Sequence, residues 1–151
     1  MYLLIKDVSQ SVRGGMGMKV KEFMTTRIET IGLDKSVYDA VERMVDRRIR
    51  SLLVRSPGDE RKSGVITARD VVFKVLAKGL DPNKIKVSEI ASKPIISIDQ
   101  NMEFDEVAKV MGESNIARAF VFDNDRIIGV VALMDVMAAT LIARARGEHV
   151  I

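Results

Sequence analysis

The chain has 151 residues, of which 47% are hydrophobic and 30% charged, a composition typical of a globular protein with one domain or a fused pair of small domains. It has no cysteine, which excludes a disulfide framework, a thiolate nucleophile and a sulfur-based metal site. A net charge of +3, from 24 basic and 21 acidic residues, is too small to indicate a nucleic-acid-binding surface.

Residues 1–17 stand outside the pattern described below, and we interpret them as an N-terminal extension whose role the sequence does not reveal. The apolar run at residues 3–5 is too short for a signal peptide. No stretch of the chain approaches the ~18 consecutive apolar residues that a membrane helix requires. With the absence of cysteine, this predicts a cytoplasmic protein without membrane insertion.

The rest of the chain carries one pattern twice, at residues 18–79 and 87–148, with a linker at 80–86. The segment Val-Lys-Glu-Phe-Met that begins at Val20 aligns with Val-Ser-Glu-Ile-Ala at Val87. A repeat of about 60 residues is too small to bury a generous core alone. Two repeats could bury their apolar faces against each other, which predicts equivalent clefts between them as ligand sites.

The elements of the first repeat follow in chain order, with turn residues between them. We predict a helical turn at 20–24, a strand at 27–31, a helix at 37–44 capped by Asp34 or Ser36, a strand at 49–55, a polar loop at 56–63, a strand at 64–67 and a helix at 68–78 closed by Gly79. The second repeat has matching strands at 94–98, 116–122 and 127–132 and helices at 104–111 and 133–145. Both repeats therefore predict an α+β fold with the order β-α-β-β-α.

These features resemble a tandem pair of CBS domains, the family named after cystathionine β-synthase. The resemblance rests on Gly64-Val-Ile-Thr-Ala-Arg-Asp70 at the third strand, on Met24-Thr25, on Ser36-Val37 before an amphipathic helix, and on the doubled order over residues 18–148. It implies a disc-shaped Bateman module that forms a homodimer through its helices. It also implies adenosyl ligands (AMP, ADP, ATP or S-adenosylmethionine) in the clefts between repeats, and regulation of a protein that the sequence does not identify.

The end of the third strand is the predicted centre of the ligand site. A helix start offers unpaired N–H groups that suit phosphate, and the Thr67 hydroxyl can add a hydrogen bond. The Asp70 carboxylate can accept hydrogen bonds from both ribose hydroxyls. The competing interpretation is a capping box, in which both side chains only satisfy the helix start. In the second repeat Asp135 is kept but Ala132 replaces the threonine, so that site is expected to be weaker for phosphorylated ligands or to bind another species.

The remaining candidate residues of the site each have a simpler structural interpretation, which stays open. Gly64 permits close backbone approach, and alternation along the strand lets one of Val65 and Ile66 meet a purine while the other meets the core. Arginines in this region could contact phosphate or simply be solvated, and the remaining candidates could line a purine slot or only pack. The predicted ligand-binding set is Thr25, Ile28, Arg50, Gly64, Ile66, Thr67, Arg69, Asp70, Ile95, Arg118 and Asp135, in which Arg118 corresponds to Arg50 with a displacement of one residue.

No motif for phosphate-loop or zinc-protease chemistry occurs, and no serine or threonine has an evident base partner. We therefore predict no catalytic residues, no metal and no enzyme activity. The expected mechanism is a population shift, in which a bound ligand favours one orientation of the repeats and alters a surface that a partner recognises. The alternatives are a ligand-free dimerisation scaffold and, less favoured, nucleic-acid binding through Arg144 and Arg146.

Overall fold

The computed structural model describes residues 17–92 and 95–147, and these fold as two compact units. The central unit comprises residues 28–95, and the terminal unit combines residues 17–27 with 96–147. The leading segment of each repeat therefore belongs to the unit built mainly from the other repeat. All but the last residue of the predicted extension at 1–17 lies outside the described residues.

Both units repeat the same element order. In the central unit these are β1 (Thr30–Ile31), α1 (Val37–Arg47), β2 (Ser51–Val54), β3 (Gly64–Thr67), α2 (Ala68–Val71), a π-helix (Val72–Leu76) and α3 (Val87–Ile90). In the terminal unit they are a 3-10 helix (Val20–Glu22), β4 (Ser97–Asp99), α4 (Phe104–Ser114), β5 (Arg118–Asp123), β6 (Arg126–Ala132) and α5 (Leu133–Ala145). The predicted α+β fold with two β-α-β-β-α repeats is confirmed.

Each unit contains a three-stranded sheet of the same topology. The strand orders are β1-β2-β3 and β4-β5-β6. In each sheet the first strand runs parallel to the second, and the second runs antiparallel to the third. The third strand leads directly into the final helix of its repeat, so each unit presents one strand-to-helix corner.

Helix α1 illustrates how the sequence specifies these elements. Ser36 caps the helix, because its Oγ accepts from the Asp39 N–H at 3.0 Å and the Asp39 carboxylate accepts from the Ser36 N–H at 3.2 Å. Ser36, rather than Asp34, is therefore the cap. The helix ends where Arg48 adopts a left-handed conformation with φ of 54°.

The two hydrophobic cores both depend on the exchanged leading segments. Val87 and Ile90 of α3 pack in the central core, and Val20 packs in the terminal core. The central core consists of Ile31, Val37, Ala40, Met44, Leu52, Val54, Ile66, Val71, Val75, Val87 and Ile90. The terminal core consists of Val20, Ile98, Met102, Val107, Val110, Met111, Ala119, Val121 and Val131.

The helix after β3 differs from the prediction. A continuous α-helix was expected over 68–78, but α2 changes at Val72 into a π-helix, and the Ala77 N–H donates to the Val72 carbonyl at 2.7 Å. Val71 and Val75 are both buried in this arrangement. Their separation of four residues would also place them on one face of an α-helix. The spacing alone therefore could not distinguish the two helix types.

Candidate ligand-binding site

The strand-to-helix corner of the central unit is a reciprocal capping box. The Asp70 N–H donates to the Thr67 hydroxyl oxygen at 3.1 Å, and the Thr67 N–H donates to Asp70 Oδ2 at 3.0 Å. The Thr67 hydroxyl also donates to Oδ2 at 3.0 Å. The capping interpretation therefore describes these contacts, and both side chains are held rigidly where β3 becomes α2.

The second oxygen of the Asp70 carboxylate pairs with Lys74. Lys74 Nζ lies 3.0 Å from Asp70 Oδ1, and it also donates to the Ile90 carbonyl at 3.0 Å. The Asp70 side chain is only 12% exposed, whereas that of Lys74 is 44% exposed. A carboxylate has about four acceptor positions, so the three contacts to Asp70 leave about one open.

The corner of the terminal unit is less complete. Asp135 Oδ2 accepts from the Ala132 N–H at 2.8 Å, but Ala132 has no hydroxyl that could return a bond. No other partner of Asp135 occurs among the described residues, and the side chain is half-buried. Asp135 therefore keeps more free acceptor capacity than Asp70.

Strand pairing defines which residues of the two corners correspond. Ser51 pairs with Thr67, and Arg118 pairs with Ala132. The Ala68 N–H donates to the Arg50 carbonyl at 2.8 Å, and the Leu133 N–H donates likewise to Ala117 at 3.2 Å. Arg118 is thus the structural counterpart of Ser51 rather than of Arg50, in agreement with the displacement of one residue noted in the sequence.

Ile66 and Val65 lie on opposite faces of β3. The Ile66 side chain is fully buried in the central core, whereas the Val65 side chain is half-buried. Val65 is therefore the strand side chain that a ligand could contact. Gly64 is buried at the start of β3, Ile95 is also buried, and Ile28 is half-buried just before β1.

Thr25 pairs with β6 of the terminal unit, two residues before Ala132. Thr25 and Val130 exchange backbone hydrogen bonds of 2.9 Å, and Ser92 and Val65 make the equivalent pair in the central unit at 2.8 and 3.0 Å. Exchange of the leading segments therefore brings Thr25 into the same unit as Asp135. Ser92 takes the equivalent place in the unit that contains Asp70.

Arg69 lies on the exposed side of α2. Its guanidinium carbon is 4.5 Å from the centroid of the Phe73 ring, a cation–π contact. Arg50 is also exposed, and Arg118 is half-buried. Arg50 and Arg69 lie within the same unit as the Thr67–Asp70 corner, and Arg118 lies in the unit of Asp135.

Within residues 17–92 and 95–147, no three histidine, aspartate or glutamate side chains are placed to hold a metal ion. No helix in those ranges has the length and apolar character needed to cross a membrane.

The family assignment follows from comparison with known proteins. The family model of the CBS domain matches residues 20–77 and 87–141, which is more than half of the chain. The chain belongs to the CBS-domain family. Pairs of CBS domains are regulatory modules that generally bind adenosyl ligands, and proteins made only of CBS domains are typically regulatory rather than catalytic.

Several CBS-domain relatives match over most of their length. Hypoxic response protein 1 of Mycobacterium tuberculosis is 32% identical over 131 residues, which is 87% of each protein. Its crystal structure with two coordinated zinc ions has a TM-score of 0.69 and 29% identity, covering 80% of this chain and 98% of that one. A hexameric CBS-CP12 protein from bloom-forming cyanobacteria has a TM-score of 0.74 and 30% identity, covering 83% of this chain and 73% of that one.

Other relatives are longer than the matched region. The chain spans about half the length of two archaeal relatives, 48% of a Methanopyrus kandleri protein (34% identical, 63% of this chain) and 56% of a Methanocaldococcus jannaschii protein (32% identical, 69% of this chain). The matched CBS region therefore occurs in proteins of different overall size.

Sequence reasoning missed Lys74 and Ser92 near the central corner and did not select Val65. The signal for Lys74 was present, because an acid followed four residues later by a lysine is a familiar helical ion pair. Ser92 could be found only from the exchange of leading segments, which no local pattern reveals. Val65 was one of two alternatives that strand alternation left open.

Proposed function

We propose that the protein is a regulatory module that binds an adenosyl compound (AMP, ADP, ATP or S-adenosylmethionine) at the Thr67–Asp70 corner. The observation that carries the proposal is the recurrence of a carboxylate at the same corner in both units, Asp70 and Asp135. At the second corner the helix start uses only Oδ2 of Asp135, through the Ala132 N–H, so the other carboxylate oxygen stays available to a ligand. Membership of the CBS family supports the adenosyl class of ligand.

The proposed contacts follow from the chemistry of the corner. Ribose hydroxyls would donate to the Asp70 carboxylate, which the capping box holds in a fixed orientation. Arg50 and Arg69 would supply positive charge for a phosphate or carboxylate group, and Val65 would offer apolar surface to the purine. The corner of Asp135 has no hydroxyl at Ala132, so it would bind phosphorylated ligands less tightly.

The proposed mechanism is a population shift. A ligand can change the balance between two conformations only by its difference in affinity for them. Binding would favour one conformation of the protein and so alter a surface seen by the regulated partner. No catalytic step is involved in this role.

Thermal unfolding with each of the four compounds tests the proposal. A ligand at about 100 times its dissociation constant stabilises the native state by ~2.7 kcal/mol, which is roughly 5–10 °C in Tm for a chain of this size. Asp70→Asn should remove most of that shift, and the matched variant Asp46→Asn, on an exposed site of α1, should keep it. The absence of any shift with all four compounds would reject the proposal.

A second candidate function, self-association as a homodimer or interaction scaffold, is favoured by an apolar stripe on α5. Leu133, Met134, Met137 and Leu141 share one face of this helix and are between 51% and 71% exposed. Part of the stripe borders a groove of about 400 Å³ between α4 and α5. The hexameric cyanobacterial CBS protein supports assembly as a property of related chains.

Three further expectations remain predictions. They are the boundaries of the sequence repeats at 18–79 and 87–148, a cytoplasmic location, and the absence of nucleic-acid binding. The last is tested by oligonucleotide binding, which would show a steep salt dependence if it occurred.

A further inference from the structure

Lys74 connects the candidate ligand site to a second element of the central unit. Its ammonium group pairs with Asp70 Oδ1 and donates to the carbonyl of Ile90, both at 3.0 Å. Ile90 is the last residue of α3, which belongs to the leading segment of the second repeat. One side chain therefore ties the carboxylate proposed to bind ribose to the end of a different helix.

The π-helix carries Lys74. Lys74 is the third residue of this five-residue helix, and the residues beside it, Phe73 and Val75, are exposed and buried respectively. Single π-turns within α-helices occur often at functional sites. The final helix of the terminal unit, α5, is an α-helix over its whole length, from Leu133 to Ala145.

Among the described residues of the terminal unit, no contact is equivalent to this one. With the offset of 65 residues that relates the two corners, Lys74 corresponds to Ala139. Ala139 is buried with Met18 and packs near Phe23. In the alignment of Val20 with Val87, an offset of 67 residues, Phe23 corresponds to Ile90. The same place in the fold is thus filled by apolar packing in one unit and by an ammonium group in the other.

We propose that Lys74 is a latch that the ligand displaces. In the unbound protein the ammonium occupies one acceptor position of Asp70 and holds the end of α3 through Ile90. Two ribose hydroxyls need two acceptor positions, but the contacts of Asp70 leave about one. A diol that binds Asp70 through both hydroxyls therefore competes with Lys74 and releases α3.

Release of α3 would loosen the chain segment that follows it and leads into the terminal unit. Beyond Ile90 the Ser92 N–H donates to the Val65 carbonyl at 2.8 Å, and the chain continues into the terminal unit at residue 96. The latch rests on the proposed function, because it assumes that Asp70 binds the ligand. The proposal makes Lys74 a positioning residue and residues 87–92 the segment that responds to binding.

The first experiment uses the protein without ligand. Amide hydrogen exchange is measured at Ala91 and Ser92, whose N–H groups donate to Val87 and Val65. Lys74→Met keeps the length of the side chain but removes the ammonium, and exchange should become about two- to fivefold faster, the range expected for a partly exposed ion pair. Lys74→Arg should restore slow exchange, and Lys78→Met is the matched control for loss of a lysine nearby.

The second experiment adds AMP, ADP, ATP or S-adenosylmethionine and measures affinity by calorimetry together with exchange. In the wild-type protein, ligand should speed exchange at Ala91 and Ser92. Lys74→Met should bind about two- to fivefold more tightly, because no ion pair must be broken, and ligand should cause no further change at 87–92. A lysine with only a structural role would not raise affinity when it is removed.

The outcomes separate the latch from the proposed function. Weaker binding by Lys74→Met would mean that the ammonium contacts the ligand directly, which overturns the latch but not the adenosyl site. Unchanged exchange at Ala91 and Ser92 in unliganded Lys74→Met would also overturn it. If none of the four compounds binds the wild-type protein, the proposed function and the competition fail together, and the unliganded comparison alone decides whether Lys74 holds α3.

Discussion

Gly129 of β6 lies directly against Met24. A β-carbon placed on Gly129 would come within 2.5 Å of the Met24 sulfur and 3.1 Å of the Thr25 carbonyl oxygen. Thr25 pairs with the neighbouring residue Val130 through two backbone hydrogen bonds, so the Thr25 backbone cannot move away without loss of these bonds. The glycine therefore permits the leading segment of the first repeat to pack on β6.

Gly129→Ala should destabilise the protein by about 1–3 kcal/mol, the usual cost of forcing an extra methyl group into a packed site. Gly112→Ala is a matched control, because a β-carbon at this position in α4 meets no atom within 4 Å. Alanine is the better helix former, so this variant should be stabilised by up to about 1 kcal/mol. Urea unfolding of both variants measures the difference, and effects of equal sign would contradict the packing.

Val87→Ala tests the exchange of leading segments. Val87 is fully buried in the central core although it belongs to the second repeat. Loss of two buried carbons, with the cavity left behind, should destabilise the protein by about 1.5–3 kcal/mol. Hydrogen exchange should accelerate in α1 and β2 of the central unit before it does in α4 and β5.

The control for this variant is Val45→Ala, on a side chain of α1 that is 69% exposed. It should change stability by less than about 0.5 kcal/mol. Faster exchange confined to the terminal unit in Val87→Ala would show that each repeat folds on its own leading segment, contrary to the structure.

The order of elements was predictable because it depends on local chemistry. Apolar residues at three- and four-residue spacing, a serine cap and a left-handed end define α1, and strand alternation with a following helix defines each corner. The exchange of leading segments was not predictable, since a pattern such as Val20-Lys-Glu-Phe-Met shows which face is apolar but not which core it enters. Both cores accept a valine at the same position.

The candidate site was predictable in its position but not in its contacts. Thr67 and Asp70 were identified from their spacing, and that spacing serves capping as well as ligand binding. Ile66 was chosen over Val65 although strand alternation allowed either, and only the structure shows which of the two faces the core. The second contact of Lys74, to Ile90, joins residues 16 apart and depends on the exchange of segments.

Leu141→Glu should weaken self-association if the α5 stripe forms an interface between copies of the chain. Leu141 is the most exposed member of the stripe, so a charge there should not disturb the fold of the unit. Removal of an apolar anchor should weaken a dimer about tenfold or more, measured by sedimentation equilibrium. Val45→Glu places the same charge on another exposed apolar site and should leave the assembly state unchanged.

Glu106 is a buried carboxyl group of the terminal unit with two acidic residues close by in sequence. Its side chain is buried in α4 beside core residue Val107, and no hydrogen-bond partner of its carboxyl occurs among the described residues. Burial raises the pKa of Glu106 above its ordinary value of 4.5, and the carboxylates of Asp105 and Glu103 raise it further. The native protein therefore keeps this proton at a pH where the unfolded chain has lost it.

Glu106→Gln should remove a pH dependence of stability that the wild-type protein shows. Between 4.5 and the raised pKa the native state binds more protons than the unfolded state, so the free energy of unfolding falls as pH rises through this range. The variant lacks this fall and should be more stable than wild type at neutral pH, with little difference below 4.5. Urea unfolding from pH 4 to 8 measures both curves, with Glu113→Gln, an exposed site on the same helix, as the control. Parallel curves for Glu106→Gln and wild type would mean that the buried carboxyl does not titrate differently in the folded and unfolded chains.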